Sequence, residues 1–160
     1  MNTKESPSPI DTYSGPVQAQ WIDYNGHMSE AFYVLVFGFA TDAFYESIGA
    51  GEEFRTRNKC SIYTLEAHIN YLQEVAEGVP LRVSTQLLDA DQKRMRLFHN
   101  LYRSDTGEHL ACTELMLLYV DMNTHRAATF PDELNTTITT LCKQHAQLPQ
   151  PKAAGASISL

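Results

Sequence analysis

Most of the chemistry this sequence offers is concentrated between Trp21 and Glu30. The segment reads W-I-D-Y-N-G-H-M-S-E and places a carboxylate, an amide, a glycine and an imidazole within five positions: Asp23, Asn25, Gly26 and His27. A carboxylate and an imidazole so close together can act in proton transfer, and the carboxylate can also act as a nucleophile. Asn25-Gly26 favours a tight reversal. Ser29 suits the N-cap of a following helix, and Glu30 suits its first turn. Asp23 therefore sits just ahead of a helix N-terminus, whose positive end favours the ionised carboxylate.

The neighbouring elements must position that turn. From Ala31 to Ile48 the pattern is helical but nearly apolar all round, as expected of a helix buried in the middle of the molecule. Gly49 and Gly51 end it. Val17–Ile22 alternates apolar and polar residues and predicts a strand leading into the turn. Glu52 to Lys59 is a charged segment. Extended segments are then expected at Ser61–Gln73, Leu81–Leu88, Arg94–Arg103 and His109–Val120, joined by turns at Gly78-Val79-Pro80, Asp89–Gln92 and Asp105–Gly107. Pro131–His145 reads as a short C-terminal helix. Residues 1–14 read as a flexible leader and 147–160 as a disordered tail, leaving one domain over 15–146. The class is α+β, with one long helix across an antiparallel sheet.

The chain has 160 residues and a formal charge of −7. That length suits a single hydrophobic core, and the charge argues against general nucleic-acid binding. The three cysteines are widely spaced and form no CxxC pair, and the six histidines are scattered. Neither a disulfide framework nor a metal site is indicated. The N-terminus has no apolar signal region, and the run Ala31–Ala40 is too short to span a bilayer. These features predict a cytoplasmic protein with no membrane partner.

The pattern D23-Y-N-G-H27-M-S-E-A-F-Y33 resembles the D-x-x-G-H-x-x-x-x-x-Y signature of hotdog-fold acyl-CoA thioesterases of the 4-hydroxybenzoyl-CoA thioesterase group. The stretch H68-I-N-Y-L-Q-E-V-A-E-G78-V-P-L-R-V is similar to a later element of the same family. T64-L-E-A-H-I-N-Y-L-Q-E-V and K93-R-M-R-L-F-H99 look closest to the thioesterases of carnitine breakdown, which act on betainyl-CoA. Ser29 stands where the family usually has asparagine. The resemblance covers roughly Gly15 to Asp121. It implies a hotdog fold, one long central helix wrapped by a five-stranded antiparallel sheet, and a homodimer or homotetramer. It also implies hydrolysis of a small acyl-CoA with no cofactor, coenzyme A being part of the substrate.

On that reading, Asp23 is the catalytic carboxylate, either as general base on water or by direct attack on the thioester. Gly26 lets backbone approach the ligand, and the amides of Gly26, His27 and Met28 form an oxyanion site at the helix start. His27 is expected to support, and Asn25 to position water or to make an Asx-turn. Met28, Trp21, Tyr24 and Tyr33 are candidates for the acyl pocket, Tyr33 as a packing residue. Glu66 and His68 join them where their strand face meets the helix start of a neighbouring subunit. Arg57, Lys59, Lys93 and Arg94 are candidates for the phosphates of coenzyme A. A quaternary ammonium suits the aromatic faces of Trp21, Tyr24, Phe32 and Tyr71. An aryl-CoA or a short acyl-CoA would suit them too. A hotdog hydratase fits less well, because it has Asp and His five apart with proline where Gly26 stands. A non-catalytic acyl-CoA-binding module usually lacks the carboxylate.

Overall fold

The computed structural model describes residues 6–160. Its spine is helix α1, Glu30–Ser47. Around it run β1 (Ile10–Pro16), β2 (Cys60–Tyr71), β3 (Pro80–Ala90), β4 (Arg94–Arg103) and β5 (His109–Asp121). Their spatial order is β1-β3-β4-β5-β2, all antiparallel, and a two-residue β6 (Arg126–Ala127) pairs with the end of β5. A short α2 (Glu52–Asn58) follows α1, and α3 (Asp132–His145) follows β6. One long helix against a five-stranded antiparallel path is the hotdog architecture, of α+β class.

Alternation along the strands builds the core. In β3 and β4 the pairs Val83↔Leu101, Thr85↔His99 and Leu87↔Leu97 are all buried. Two apolar clusters divide the core along α1. Met28, Tyr33, Val36, Phe37 and Ala40 join Val75, Leu81 and Leu110 at its N-terminal end. Phe44, Tyr45 and Ile48 join Cys60, Leu87, Met95, Leu117 and Phe130 at its C-terminal end.

A buried polar chain fastens α1 to the sheet between these clusters. Thr41 donates to the carbonyl of Phe37 (2.8 Å), so its oxygen accepts from His99 Nε2 at 2.9 Å. His99 Nδ1 then accepts from the Thr85 hydroxyl (2.7 Å), which lies 2.7 Å from the Thr12 hydroxyl. His99 is fully buried, and burial drives its pKa down to about 3, which keeps the ring neutral.

Several expectations change. The first strand is Ile10–Pro16, which begins inside the stretch read as a leader and ends just past it, while Met1 to Glu5 lie outside the described residues. Val17–Ile22 is not a strand; it contains a single 3-10 turn at Ala19–Trp21. β1 reads I-D-T-Y-S-G-P, too polar to announce itself, and is specified by its pairing with β3 and by Thr12. The charged segment after Gly51 folds as α2.

α1 is also not buried on every side. Tyr33, Val36, Phe37, Ala40, Phe44 and Tyr45 face the sheet, whereas Val34, Leu35, Gly38 and Phe39 are exposed, Phe39 at 44%. Among the described residues no single helix is long and apolar enough to cross a membrane.

The C-terminal segment is packed, not free. α3 covers the edge of β3 beyond the last residue that β1 pairs, where the Leu87 amide donates to His145 Nδ1 (2.9 Å). Residues 148–156 then fold over the other face of the sheet, and the Gly155 amide donates to Glu114 Oε2 at 2.6 Å. The edge of β2 away from β5 is left without a strand among the described residues.

Candidate active site

The turn ahead of α1 is closed by its own backbone. The Asp23 amide donates to the His27 carbonyl (3.0 Å), the Gly26 amide donates to the Asp23 carbonyl (3.0 Å), and Ile22 and Met28 bridge as antiparallel partners. Gly26 has φ +80, a left-handed conformation in which a side chain would be strained. The Asx-turn here belongs to Asp23, not to Asn25: Asp23 Oδ1 accepts the Asn25 amide at 2.8 Å. Both Asp23 and His27 are part-exposed, and Asn25 is open to solvent.

Two amides named for the oxyanion site have other work. Gly26 donates within the turn, and Met28 donates to the Val75 carbonyl (2.8 Å). Ser29 sits at the N-cap with extended backbone but makes no side-chain cap. Among the described residues this leaves the amides of His27, Glu30 and Ala31 without a backbone acceptor. The helix start thus presents free donors in its positive field: His27 of the three expected amides, joined by Glu30 and Ala31, two and three residues beyond Met28.

His27 does not turn its Nδ1 to Asp23. That atom lies 3.2 Å from Glu74 Oε2 in the β2–β3 connection. Glu74 is absent from the sequence-derived candidates. It lies far from the turn along the chain, and the backbone hydrogen bond from Met28 to Val75 brings the two segments together.

Beside this pair is a hollow of about 540 Å³ whose walls include Met28, Glu30, Tyr33, Tyr71, Gln73 and Glu74. Tyr33 donates its hydroxyl to the Gln73 carbonyl (3.1 Å), and its ring meets Tyr71 edge-on at 5.3 Å. Burial raises the Tyr33 phenol above its usual value, and the charge of Glu74 raises it further. Tyr71 is raised by burial and then by Glu30.

Other candidates are placed elsewhere. Trp21 is buried and stacks on Phe32 at 5.8 Å, so it serves the core. Tyr24 is 96% exposed on the tip of the turn. Glu66 and His68 line a recess with Arg96, Glu114 and Gly155, on the sheet face turned away from α1. The reason is strand alternation: their neighbours Ile69 and Tyr71 take the α1 side. In one chain neither joins Asp23. That outer face also carries a larger hollow, about 710 Å³, roofed by the C-terminal segment.

The basic candidates all lie at the wrong end of α1 to meet Asp23 within one chain. Arg57 and Lys59 end α2, and Lys93 and Arg94 sit in the β3–β4 hairpin, both beside the C-terminal core cluster. α1 has 18 residues, so that end is about 27 Å from the turn. Arg94 is further engaged by Asp91, whose Oδ2 it meets at 2.6 Å.

Comparison with known proteins bears on this arrangement. A profile described as the thioesterase-like superfamily matches residues 17–138. A betainyl-CoA thioesterase of Pseudomonas aeruginosa is 43% identical over 151 residues, covering 94% of this chain and 95% of that protein. An L-carnitine dehydrogenase/betainyl-CoA thioesterase of Agrobacterium fabrum is 41% identical over 150 residues, 94% of this chain and 30% of that longer protein. A Staphylococcus aureus protein solved in complex with CoA superposes with a TM-score of 0.87 at 28% identity, over 95% of this chain and 96% of that one. A Pseudomonas putida protein solved as a candidate thioesterase superposes with a TM-score of 0.82 at 40% identity, over 96% and 97%.

Proposed function

The chain belongs to the thioesterase-like superfamily and is an acyl-CoA thioesterase, and from that premise we propose that it hydrolyses betainyl-CoA to glycine betaine and free CoA. The observation that carries the proposal is the turn at the start of α1, where Asp23 precedes a helix whose first amides are uncapped. Oδ1 of Asp23 is held by the Asn25 amide, which leaves Oδ2 free to work. It takes a proton from water while the water oxygen bonds to the acyl carbon, or it bonds to that carbon itself. The amides of His27, Glu30 and Ala31 receive the oxyanion. The C–S bond then breaks, and CoA leaves as a thiolate that takes up a proton; on the direct route water then cleaves the acyl anhydride left on Asp23, which releases glycine betaine and restores the carboxylate. Water is the only co-reactant, so no cofactor is called for.

Two further parts of the reading concern the assembly and the compartment. We infer that the working unit contains two copies paired along β2. The free edge of β2 carries exposed Tyr63 and Leu65, the latter at 57%, and the open face of α1 carries Val34 and Phe39. An unpaired edge of 12 residues invites another strand. Antiparallel pairing of a strand with itself sets its Cys60 end against the Tyr71 end of the other copy. The α2 end of a second copy, with Arg57 and Lys59, would then lie at the same end of the assembly as the Asp23 turn of the first. That arrangement answers the separation of these cations from Asp23 within one chain. Three free cysteines support a reducing, cytoplasmic setting.

A thiol-release assay against betainyl-CoA, acetyl-CoA, 4-hydroxybenzoyl-CoA and a long-chain acyl-CoA tests the reading. Betainyl-CoA is expected to lead in kcat/KM by about tenfold or more. A higher kcat/KM for 4-hydroxybenzoyl-CoA would overturn the substrate assignment.

A further inference from the structure

We propose that the hollow between the start of α1 and the end of β2 is a seat for a quaternary ammonium, formed by the ring of Tyr71, backed by Tyr33, and the carboxylates of Glu30 and Glu74. The proposal rests on the betainyl-CoA reading and names the residues that select the acyl group.

A trimethylammonium group has no N–H to donate. It is recognised by aromatic faces and diffuse negative charge, not by directed hydrogen bonds. The hollow offers both. The Tyr33 ring is almost fully buried, its hydroxyl held by the Gln73 carbonyl, and it supports the Tyr71 ring edge-on at 5.3 Å. Tyr71 is half exposed, so a face of its ring stays open. Met28 adds a polarisable thioether to the wall.

The charge is of one sign. Among the described residues no Lys or Arg lines the hollow. Glu30 has no cationic partner among the described residues, and Glu74 has only the His27 imidazole, at 3.2 Å. The field reaches the rings: Glu74 raises the Tyr33 phenol and Glu30 raises that of Tyr71, in each case after burial.

The position also suits the chemistry. A single methylene separates the cation of betainyl-CoA from its acyl carbon, so the seat must adjoin the reacting carbonyl. Met28 follows His27 directly, and Glu74 touches it, which joins the hollow to the Asp23 turn.

The test compares betainyl-CoA with 3,3-dimethylbutanoyl-CoA, a neutral ester of the same shape, in thiol release. The wild type is expected to favour the cation by about tenfold or more in kcat/KM, and Glu30→Gln and Glu74→Gln each to reduce that ratio by about fivefold. Tyr71→Phe retains the ratio and Tyr71→Leu lowers it, because phenylalanine keeps the π face. A wild type that treats the two esters alike while turning both over refutes the seat and leaves the thioesterase intact. A ratio unchanged in both glutamine variants does the same. Failure to release thiol from betainyl-CoA, with turnover of other acyl-CoAs, removes the substrate reading and this inference with it.

Discussion

His27 and Glu74 meet across the start of α1, with Nδ1 3.2 Å from Oε2, although 47 positions separate them in the chain. Both are substantially exposed, at 38% and 73% of the side chain, so the pair adds less than about 1 kcal/mol to folding. Its effect is on orientation. His27→Ala is expected to lower kcat/KM about tenfold, the scale of a hydrogen bond to a charged group, with the melting temperature little changed. His27→Gln, which retains an amide donor, should recover part of the loss. Equal activity in all three proteins would show that the imidazole has no supporting role.

Asp23 carries a structural and a chemical task that can be separated. The Asx-turn needs only an acceptor for the Asn25 amide, which asparagine also supplies. Asp23→Asn should therefore melt like the wild type while losing about a hundredfold or more in kcat. Asp23→Ala should lose both the activity and some thermal stability. Full turnover by the asparagine variant would remove Asp23 from the reaction.

Stability is expected to fall as pH drops through the histidine range. His99 titrates near 3 in the fold against 6.5 unfolded. Below about 6.5 the unfolded chain binds the proton and the native chain does not. The contribution is complete above that pH and declines by about 1.4 kcal/mol per pH unit below it, until the native ring titrates. Burial shifts His109 and His145 in the same direction. Denaturant melts between about pH 6.5 and pH 4.5 should show this slope before the carboxylates titrate. A flat profile there would contradict the burial of His99.

Pairing along β2 makes a claim about mass and activity together. Leu65→Lys combined with Phe39→Lys places charges on the open edge and on the open face of α1. The wild type should sediment as a dimer or larger and the variant as a monomer, with kcat/KM lower by about tenfold or more, a loss of 1.4 kcal/mol or greater. A monomeric wild type with full activity would refute the shared site.

The C-terminal segment has a measurable role in covering the sheet. Phe98 is almost fully buried and lines the hollow that residues 148–156 roof. Truncation after Gln147 should increase binding of an apolar fluorescent dye and destabilise the protein by about 1–2 kcal/mol. A truncated chain that neither binds dye nor melts earlier would mean that the roof contributes nothing.

Local pattern determined much of this protein. The D-Y-N-G-H turn, the helix after it, the strands from Cys60 to Asp121 and α3 all follow from periodicity and turn chemistry within short windows. The same residues carried the family resemblance. Only the tertiary structure decided which amides at the helix start remain free, because Met28 is claimed by Val75. It also set Glu74 against His27 and turned Glu66 and His68 to the outer face. The length of α1 put Arg57, Lys59, Lys93 and Arg94 at its far end. β1 and the C-terminal segment are too polar or too rich in small residues to signal order alone. Their structure comes from hydrogen bonds to β3 and to Glu114, and such long-range pairing leaves no trace in the local period of the chain.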